Sequence, residues 1–352
     1  MIKCAIVGCG RIAQKHASIL TSTPNMKMTL VAAVEPNFEK RVAFSNRYNV
    51  QVFETLEELL LHHLGNIDLV IVCTPSGSHF EVSLRVIESG INVLIEKPIS
   101  LKVDQANFLI ERASMLSVRL YVVKQNRFND AVKFAHESYL KGLFGKPYLA
   151  SIRLFWNRGP GYYSLDDWRG TWKEDGGALI NQAIHHIDIM QWFLGDAESV
   201  FAFGKNFTNP RDAWDSVCAT ILFKSGALGS VQISTATQPR DLEASFALLG
   251  SNGTFEISGK SLNEIRYWET SRSSDIESST KYVQSKPSDI YGDGHKELLE
   301  NVALHLLDNK GDVIEGSEAI KSLKLASGIL RSIEKGEAVH FNSNYQSTLL
   351  GF

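Results

Sequence analysis

The chain has few cysteines, and their positions exclude most of the sites that cysteines build. Only four occur among 352 residues, and they show neither metal-type nor redox-type spacing: Cys4, Cys9, Cys73 and Cys218. Most fall in segments that predict strands, so buried free thiols are expected rather than disulfides. This usage fits a reducing compartment, and a cytoplasmic location is expected.

An excess of charge of one sign and long apolar runs are also absent. The net charge is −3 and no run of lysine or arginine occurs, so neither nucleic acid nor an anionic membrane is expected as a partner. Apolar runs such as Asp68–Cys73 have strand length and are too short to span a bilayer. The first apolar run is interrupted by glycines and has no small-residue cleavage site, which predicts a strand rather than a signal peptide.

A glycine-rich turn follows this first strand. Lys3–Val7 leads directly into Gly8, Gly10, Arg11 and Ile12, with the small Ala13 next. Because the glycines allow a tight turn and close approach of the backbone to a pyrophosphate, and the following helix presents free N–H groups, the spacing predicts a dinucleotide site.

Glu35 ends the second predicted strand, Thr29–Val34. A carboxylate at this position accepts hydrogen bonds from a ribose and repels a 2′-phosphate, so NAD is the expected cofactor. Lys40 and Arg41 nearby leave NADP as an alternative.

Short strands alternate with helices as far as about residue 123. This alternation predicts an α/β protein whose residues 1–123 form an NAD-binding Rossmann domain with a doubly wound parallel sheet. The strand candidates are Lys3–Val7, Thr29–Val34, Gln51–Phe53, Asp68–Cys73, Asn92–Ile95 and Arg119–Val123.

Residues 124–352 are predicted to form a second domain. It begins with a helix over Asp130–Lys141, and longer strands follow that helix. Several alternate apolar and polar residues, typical of an antiparallel sheet whose second face is covered either by helices or by another subunit. Ser271–Tyr291 is expected to be a mobile loop, and helices over His295–Leu307 and Gly316–Lys335 close the domain. The strand candidates are Val200–Phe207, Ser216–Phe223, Leu228–Ala236, Glu243–Leu249, Thr254–Ile257 and Glu264–Thr270.

Three motifs stand at the carboxyl ends of parallel strands, where such sheets bind ligands. They are Thr74-Pro75 with His79, Glu96-Lys97-Pro98, and Gln125-Asn126-Arg127. The residue before a proline is restricted to extended backbone, so Lys97 is held in a defined direction. A partly desolvated lysine beside oxidised nicotinamide would take a hydroxyl proton; a surface lysine that caps the next helix is the alternative.

Polar residues also precede and enter an apolar helix over Ile187–Leu194. Asn181, His185 and Asp188 share one face if all are helical, whereas His186 points elsewhere and core histidines remain the alternative. His185 and Asp188 lack further ligands at suitable spacing, so no metal is expected. The upstream segment Arg153–Tyr163 either pins a loop by its aromatics or stacks a base or sugar while arginines bind anions.

With these motifs the chain resembles the glucose–fructose oxidoreductase, inositol dehydrogenase and rhizopine-catabolism (Gfo/Idh/MocA) family over nearly its whole length. The resemblance implies a C-terminal α/β domain with an open, mostly antiparallel sheet used to form a homodimer or homotetramer, and an active site between the domains. It also implies that Lys97 and His185 act on the hydroxyl being oxidised. Family members often have aspartate where this chain has Asn181, and since an amide cannot exchange a proton, Asn181 would orient the substrate.

The segment from Phe155 to His185 looks like the subgroup that oxidises the 3-hydroxyl of UDP-N-acetyl-glucosaminuronic acid for surface polysaccharide. The expected ligands are therefore this sugar nucleotide and NAD, with a 2-keto acid as a further hydride acceptor. An inositol or free-sugar dehydrogenase, an NAD-dependent glycosidase and a regulator without turnover are alternatives. The substrate-binding candidates are Asn181, Arg127, Arg158, Tyr163 and Asp188. Besides the glycine turn and Glu35, the cofactor-binding candidates are Thr74, Pro75, His79, Glu96, Lys97, Gln125, Trp168 and Arg169.

Overall fold

The computed structural model describes residues 1–63, 65–271, 292–342 and 344–352. These residues form two compact units, the first from residues 1–100, 104–123 and 295–320, the second from residues 101–103, 124–294 and 321–352. The loop predicted over Ser271–Tyr291 lies, from residue 272 onward, outside the described residues.

The first unit contains a six-stranded parallel sheet. Its strands are β1 (Ile2–Val7), β2 (Met28–Val34), β3 (Gln51–Phe53), β4 (Leu69–Val72), β5 (Asn92–Ile95) and β6 (Leu120–Val122). They follow the order β3-β2-β1-β4-β5-β6, so the chain reverses direction across the sheet between β1 and β4. This is the Rossmann order, and the prediction of a doubly wound parallel sheet is confirmed. All side chains of β4 are buried, as expected for a parallel strand covered on both faces.

Helices connect these strands and bring successive strands into parallel register. They are α1 (Arg11–Ser22), α2 (Phe38–Tyr48), α3 (Leu56–His63), α4 (His79–Glu88) and α5 (Val103–Met115). The cap of α2 shows the local chemistry, since the Asn37 side chain accepts a hydrogen bond from the Lys40 backbone N–H at 3.0 Å.

The second unit contains an eight-stranded mixed sheet. Its strands are β7 (Pro147–Phe155), β8 (Ala197–Lys205), β9 (Ser216–Phe223), β10 (Leu228–Ser234), β11 (Glu243–Gly250), β12 (Gly253–Ser258), β13 (Glu264–Thr270) and β14 (Val339–His340). The order is β13-β12-β11-β7-β10-β9-β8-β14, and all neighbours are antiparallel except β7 and β10. The prediction of an open, mostly antiparallel sheet is confirmed.

Strand β7 is central in this sheet, yet it is absent from the predicted strands. Its last residues, from Arg153 onward, belong to the segment interpreted as a loop or turn. In the structure Arg153 pairs with Gln232 of β10 and with Ser245 of β11. The loop therefore starts only after Phe155, at the edge where β7 ends.

Helical segments of the second unit lie between its strands. They are α6 (Asp130–Leu140), the single turn α7 (Pro160–Tyr163), a π-helical turn (Ala178–Gln182) and α8 (Ile184–Leu194). A 3₁₀ turn, Gln125–Phe128, precedes α6. Helix α8 ends at Gly195, which has φ of +79°, a conformation that glycine adopts without steric cost.

The last helices are α9 (Gly294–Asp308) and α10 (Gly316–Lys335). The sequence assigns everything after residue 123 to the second domain, but residues 295–320 pack in the first unit. The reason is edge pairing: the Val122 N–H donates to the Ile314 carbonyl at 2.9 Å, and the Tyr121 hydroxyl hydrogen-bonds His305 Nδ1 at 2.8 Å. The returning chain thus covers the exposed edge of β6.

Within the described ranges, no helix combines the length and apolar character needed to cross a membrane.

Candidate active site

The glycine turn between β1 and α1 leaves room for a large ligand. Gly8 has φ of +88°, and a Cβ there would lie 3.0 Å from the Cys73 carbonyl and the Thr74 nitrogen. A Cβ on Gly10 would meet no described atom within 4 Å, so the backbone faces open space. Helix α1 begins at Arg11, and among the described residues no side chain caps its N-terminus. The N–H groups around Arg11 and Ile12 are therefore suited to a pyrophosphate.

Glu35 is fixed beside this turn by backbone donors. Its Oε2 accepts a hydrogen bond from Cys9 N at 2.9 Å, and its Oε1 accepts one from Asn37 N at 3.0 Å. The side chain is buried, yet each oxygen retains a lone pair for a ribose hydroxyl. Arg41 donates to the Glu35 carbonyl oxygen at 2.8 Å and pairs with Glu54 at 3.0 Å, so its guanidinium is engaged within the protein.

The loops after β4 and β5 are joined by His79. Its Nδ1 lies 2.6 Å from the Pro98 carbonyl oxygen and its Nε2 lies 3.0 Å from that of Thr74. Burial lowers the pKa of His79, although both carbonyls act in the opposite direction. His79 thus holds Thr74 beside the Glu96-Lys97-Pro98 loop, and its contact with the cofactor stays a prediction. The Thr74 hydroxyl is buried without a hydrogen-bond partner among the described residues, so it is suited to a ligand.

Glu96 is buried, and its carboxylate is occupied by protein groups. Oε1 lies 2.7 Å from His16 Nε2, and Oε2 accepts from the Lys97 N–H at 3.2 Å. His295, from α9, lies 3.9 Å from Oε1. The Glu96 carboxylate supports the backbone of Lys97, and its contact with the cofactor stays a prediction. One ring nitrogen of each histidine and one oxygen of Glu96 lie within 4.8 Å of one another. No local sequence pattern predicts that His295 approaches Glu96.

In the second unit, Arg127 and Asp188 bind each other. The Arg127 guanidinium donates to Asp188 at 2.7 and 3.0 Å in a bidentate pair, and Lys124 Nζ lies 3.3 Å from the same carboxylate. Burial raises the pKa of Asp188, but Arg127 and Lys124 outweigh it and hold that pKa below its ordinary value. With Asp188 only 1% exposed, the two residues tie the 3₁₀ turn to α8, and their contact with substrate stays a prediction.

Gln125, in the same 3₁₀ turn as Arg127, contacts His185. The Gln125 side-chain nitrogen lies 3.3 Å from His185 Nε2. Gln125, predicted to contact the cofactor, thus contacts the proposed catalytic histidine. The adjacent His186 is a core residue, since it is buried and burial lowers its pKa to about 4.

Asn181 does not share a continuous α-helix with His185, as the predicted single face requires. It lies in the π-helical turn, which begins after Gly177, where φ is +73° and a Cβ would lie 2.8 Å from the Trp214 carbonyl oxygen. The Asn181 amide donates to the Asp175 carboxylate and, at 3.4 Å, to the Tyr162 hydroxyl. Asn181 is therefore oriented by the segment that precedes it.

Two arginines alternate with three aromatic rings around Tyr162. We call this set the arginine–aromatic cluster, and its members are Trp156, Arg158, Tyr162, Trp168 and Arg169. The Arg158 guanidinium lies 4.8 and 5.3 Å from the Trp156 and Tyr162 ring centroids, and that of Arg169 lies 4.7 and 4.4 Å from those of Tyr162 and Trp168. Such stacking keeps flexible guanidinium groups in fixed positions. Trp168 and Arg169, predicted to contact the cofactor, belong to this cluster.

The Tyr162 hydroxyl accepts hydrogen bonds from the Arg169 guanidinium at 2.8 Å and from the Gln182 amide at 2.7 Å. Arg158, Tyr162, Tyr163 and Gln182 line one small pocket. Tyr163 itself is buried, with its hydroxyl 3.4 Å from Thr235 Oγ1. Tyr162 is not among the predicted site residues. The sequence feature that could have indicated it is the Tyr162-Tyr163 pair within an arginine-rich segment.

Two family descriptions match the chain. Residues 2–124 match the oxidoreductase family with an NAD-binding Rossmann fold, and residues 132–256 match the GFO/IDH/MocA C-terminal domain. The chain belongs to the Gfo/Idh/MocA oxidoreductase family. It is an NAD-dependent dehydrogenase, and the open glycine turn with Glu35 fits that cofactor.

Similar solved structures include the WlbA dehydrogenases of Chromobacterium violaceum and Bordetella pertussis, each in complex with NADH and UDP-GlcNAcA. The first is 31% identical with a TM-score of 0.90 and covers 96% of this chain and 95% of its own. The second is 30% identical with a TM-score of 0.88 and covers 96% and 98%. A scyllo-inositol 2-dehydrogenase (NAD(+)) of Bacillus subtilis is 27% identical over 266 residues, 73% of each chain.

Proposed function

We propose that this Gfo/Idh/MocA protein is a sugar dehydrogenase that oxidises the 3-hydroxyl of UDP-N-acetyl-glucosaminuronic acid. The arginine–aromatic cluster is the observation that carries the proposal. A free polyol offers neither an aromatic ring nor an anion, whereas this sugar nucleotide offers a uracil ring, a diphosphate and a carboxylate. The two WlbA dehydrogenases, similar over almost the whole chain, support the same substrate class.

Lys97 is the proposed base, and His185 assists it. Lys97 takes the proton of the 3-hydroxyl while the C3–H bond breaks, so that C3 and its oxygen become a carbonyl group. NAD, when bound, accepts the hydride with its electron pair. The carboxylate of Glu96 holds the Lys97 backbone, and the Gln125 amide holds the His185 ring.

Asn181 orients the substrate in this proposal rather than exchanging a proton. An amide both donates and accepts hydrogen bonds but does not ionise at neutral pH. Asp175 and Tyr162 fix its side chain. The product is a 3-keto sugar, in keeping with a role in preparing amino-uronic sugars for surface polysaccharide.

The deciding experiment mixes the purified protein with NAD and, in parallel, UDP-GlcNAcA, myo-inositol and glucose. Absorbance at the reduced-nicotinamide band is followed with each compound. We expect NADH to form with UDP-GlcNAcA and not with the free polyols. NADH formed only with inositol or glucose would overturn the substrate assignment.

An inositol or free-sugar dehydrogenase is the second candidate, because several relatives carry such names. Besides the B. subtilis enzyme, the myo-inositol 2-dehydrogenase of Thermotoga maritima is 23% identical over 347 residues. The inositol arm of the same assay tests this candidate directly. The arginine–aromatic cluster would then have only a structural role.

A further inference from the structure

Asp175 is a buried carboxylate in the second unit, and its two oxygens have different partners. The residue is 3% exposed. Its Oδ2 accepts a hydrogen bond from the Gly170 N–H at 2.9 Å, and its Oδ1 accepts one from Nδ2 of the Asn181 amide. The Asp175 N–H donates to the Thr171 carbonyl oxygen at 3.1 Å. Both the backbone and the side chain of Asp175 are therefore held in place.

A second acceptor faces the same amide nitrogen of Asn181. The Tyr162 hydroxyl oxygen lies 3.4 Å from Asn181 Nδ2. Burial and, after it, the charge of Asp175 raise the pKa of Tyr162, although two arginines act in the opposite direction. The hydroxyl therefore keeps its proton. The Asn181 nitrogen is thus directed at a carboxylate and at a neutral hydroxyl.

The Asp175 carboxylate determines which end of the Asn181 amide faces it. An ionised carboxylate only accepts hydrogen bonds, whereas an amide donates through its nitrogen and accepts through its oxygen. If the amide were reversed, its oxygen would meet a carboxylate oxygen, and a buried acceptor would lose its hydrogen bond. The amide is therefore fixed in one orientation, with Oδ1 on the branch that faces away from Asp175.

We propose that Asp175 is a positioning residue that fixes the Asn181 amide so that Asn181 meets the substrate with its carbonyl oxygen, as a hydrogen-bond acceptor. The substrate group bound there is then a donor, either an O–H or an amide N–H. UDP-N-acetyl-glucosaminuronic acid carries both kinds of donor on its sugar. This inference rests on the proposed function, in which Asn181 orients the substrate.

Two single substitutions disturb this arrangement in different ways. Asp175→Asn places a second amide beside Asn181, so that the Asn181 amide reverses and turns its N–H groups toward a substrate donor. Asn181→Asp places two carboxylates in contact, and their repulsion turns one of them away. We expect each change alone to lower kcat/KM by about 10-fold or more, the usual effect of losing a hydrogen bond to a charged group.

The double variant Asp175→Asn/Asn181→Asp exchanges the two groups and restores the hydrogen bonds. The amide at position 175 accepts from the Gly170 N–H through its oxygen and donates through its nitrogen to the carboxylate at position 181. That carboxylate still offers an oxygen to the substrate. We expect kcat/KM to return to within about 3-fold of the wild-type value.

The full-length proteins are compared by NADH formation from NAD and UDP-GlcNAcA at about pH 9, so that paired carboxyl groups are ionised. Asp212→Asn is the matched control, because Asp212 also accepts a hydrogen bond from a backbone N–H, that of Trp172 at 3.1 Å. It makes the same chemical change outside the pair of Asp175 and Asn181. Its kcat/KM stays at the wild-type value.

A double variant no more active than the single variants would overturn the inference, since a second substitution does not repair a purely structural loss. If Asp175→Asn does not fold, Asn181→Asp decides alone. This change keeps the shape of the side chain and an oxygen for the substrate. Near-normal kcat/KM would then show that Asp175 does not orient residue 181, whereas the expected loss would support the inference.

Failure of the proposed function is seen separately, in the wild-type protein. NADH formed only with inositol or glucose would refute the substrate assignment and leave this inference standing, because their hydroxyl groups are also donors. The same variants are then compared with that polyol, and the same outcomes decide.

Discussion

At the scale of single residues, we expect Glu35 to select the cofactor. Two backbone N–H groups, of Cys9 and Asn37, hold its carboxylate next to the glycine turn. A fixed anion accepts hydrogen bonds from a ribose 2′-hydroxyl and repels a phosphate at the same position. We therefore expect the selection for NAD to depend on the charge of Glu35 as well as on its hydrogen bonds.

Glu35→Ser is expected to weaken this selection. Loss of a hydrogen bond to a charged acceptor costs about 1.5–3 kcal/mol, so NAD binding falls by about 10- to 100-fold. Removal of the charge improves NADP binding at the same time. Dissociation constants for both cofactors, measured by titration, check this result, and an unchanged ratio of the two constants would contradict it.

Lys97→Ala is expected to lower kcat by about 100- to 10,000-fold, the usual contribution of a general base. The NAD dissociation constant changes little, since the glycine turn and Glu35 are untouched. Steady-state kinetics with UDP-GlcNAcA and a parallel NAD titration separate the two effects. Lys141→Ala, at an exposed site, is the control for the loss of a lysine. Near-normal turnover in the Lys97 variant would rule out the proposed role.

The residues that sequence reasoning identified as candidates belong to short local motifs, whereas the residue that it missed is brought to the site by a contact between distant parts of the chain. Gly8, Glu35 and Lys97 stand at strand ends, where a short motif and its backbone restriction define the chemistry locally. His295 approaches Glu96 across about 200 residues of chain, and no local pattern carries that contact. Asp188 and Arg127 were recognised as polar residues near the site, but only the structure shows that each is the partner of the other.

At the scale of elements, the buried charges behind His185 connect α8 to the 3₁₀ turn. The Asp188 carboxylate in α8 forms ion pairs with Arg127 and Lys124. Lys124 Nζ also donates a hydrogen bond to the Ser322 hydroxyl in α10 at 2.7 Å. The Arg127 guanidinium lies 4.7 Å from the Trp192 ring centroid. The Asp188 carboxylate and its two cationic partners thus link α8, the 3₁₀ turn and α10. This linkage explains why charged side chains occupy buried positions here.

Arg127→Met is expected to destabilise the protein by about 3–5 kcal/mol, because it leaves a buried carboxylate with one partner fewer. The wild-type pair also predicts the response to acid. Since the folded-state pKa of Asp188 is lowered, its contribution to stability is complete above its ordinary pKa of about 4 and is lost as the pH falls through the lowered value. Chemical denaturation of both proteins at neutral and acidic pH measures these differences, and equal stability would contradict the prediction.

Elements were predicted well where periodicity was clear and poorly where it was weak. The six parallel strands are short apolar runs between helices, and each occurs within about two residues of its prediction. The end of strand β7 belongs to an arginine-rich segment that was interpreted as a loop, so the strand was not predicted. The π-helical turn before α8 also has no pattern distinct from that of an α-helix, so Asn181 was placed on the wrong type of helix.

At the scale of the whole molecule, we expect chains to associate through one face of the eight-stranded sheet. Register places Phe203 opposite Cys218, and Phe201 opposite Thr220, on neighbouring strands. Phe203 is 67% exposed and its ring packs on Phe201 with centroids 5.0 Å apart. Leu228 on β10 and Leu249 on β11 are exposed as well. Adjacent exposed apolar side chains on a broad sheet favour association of two such faces.

Phe203→Glu is expected to convert the predicted homodimer or homotetramer into a smaller species, because a two-fold interface would bury two added carboxylates. The particle mass from analytical ultracentrifugation is the quantity to measure, across a range of protein concentrations. Phe108→Glu is the matched control, since Phe108 is also exposed but lies on α5 in the first unit. A variant at Phe203 with the wild-type mass would place the subunit interface elsewhere, and a wild-type monomer would remove the reason for this apolar face.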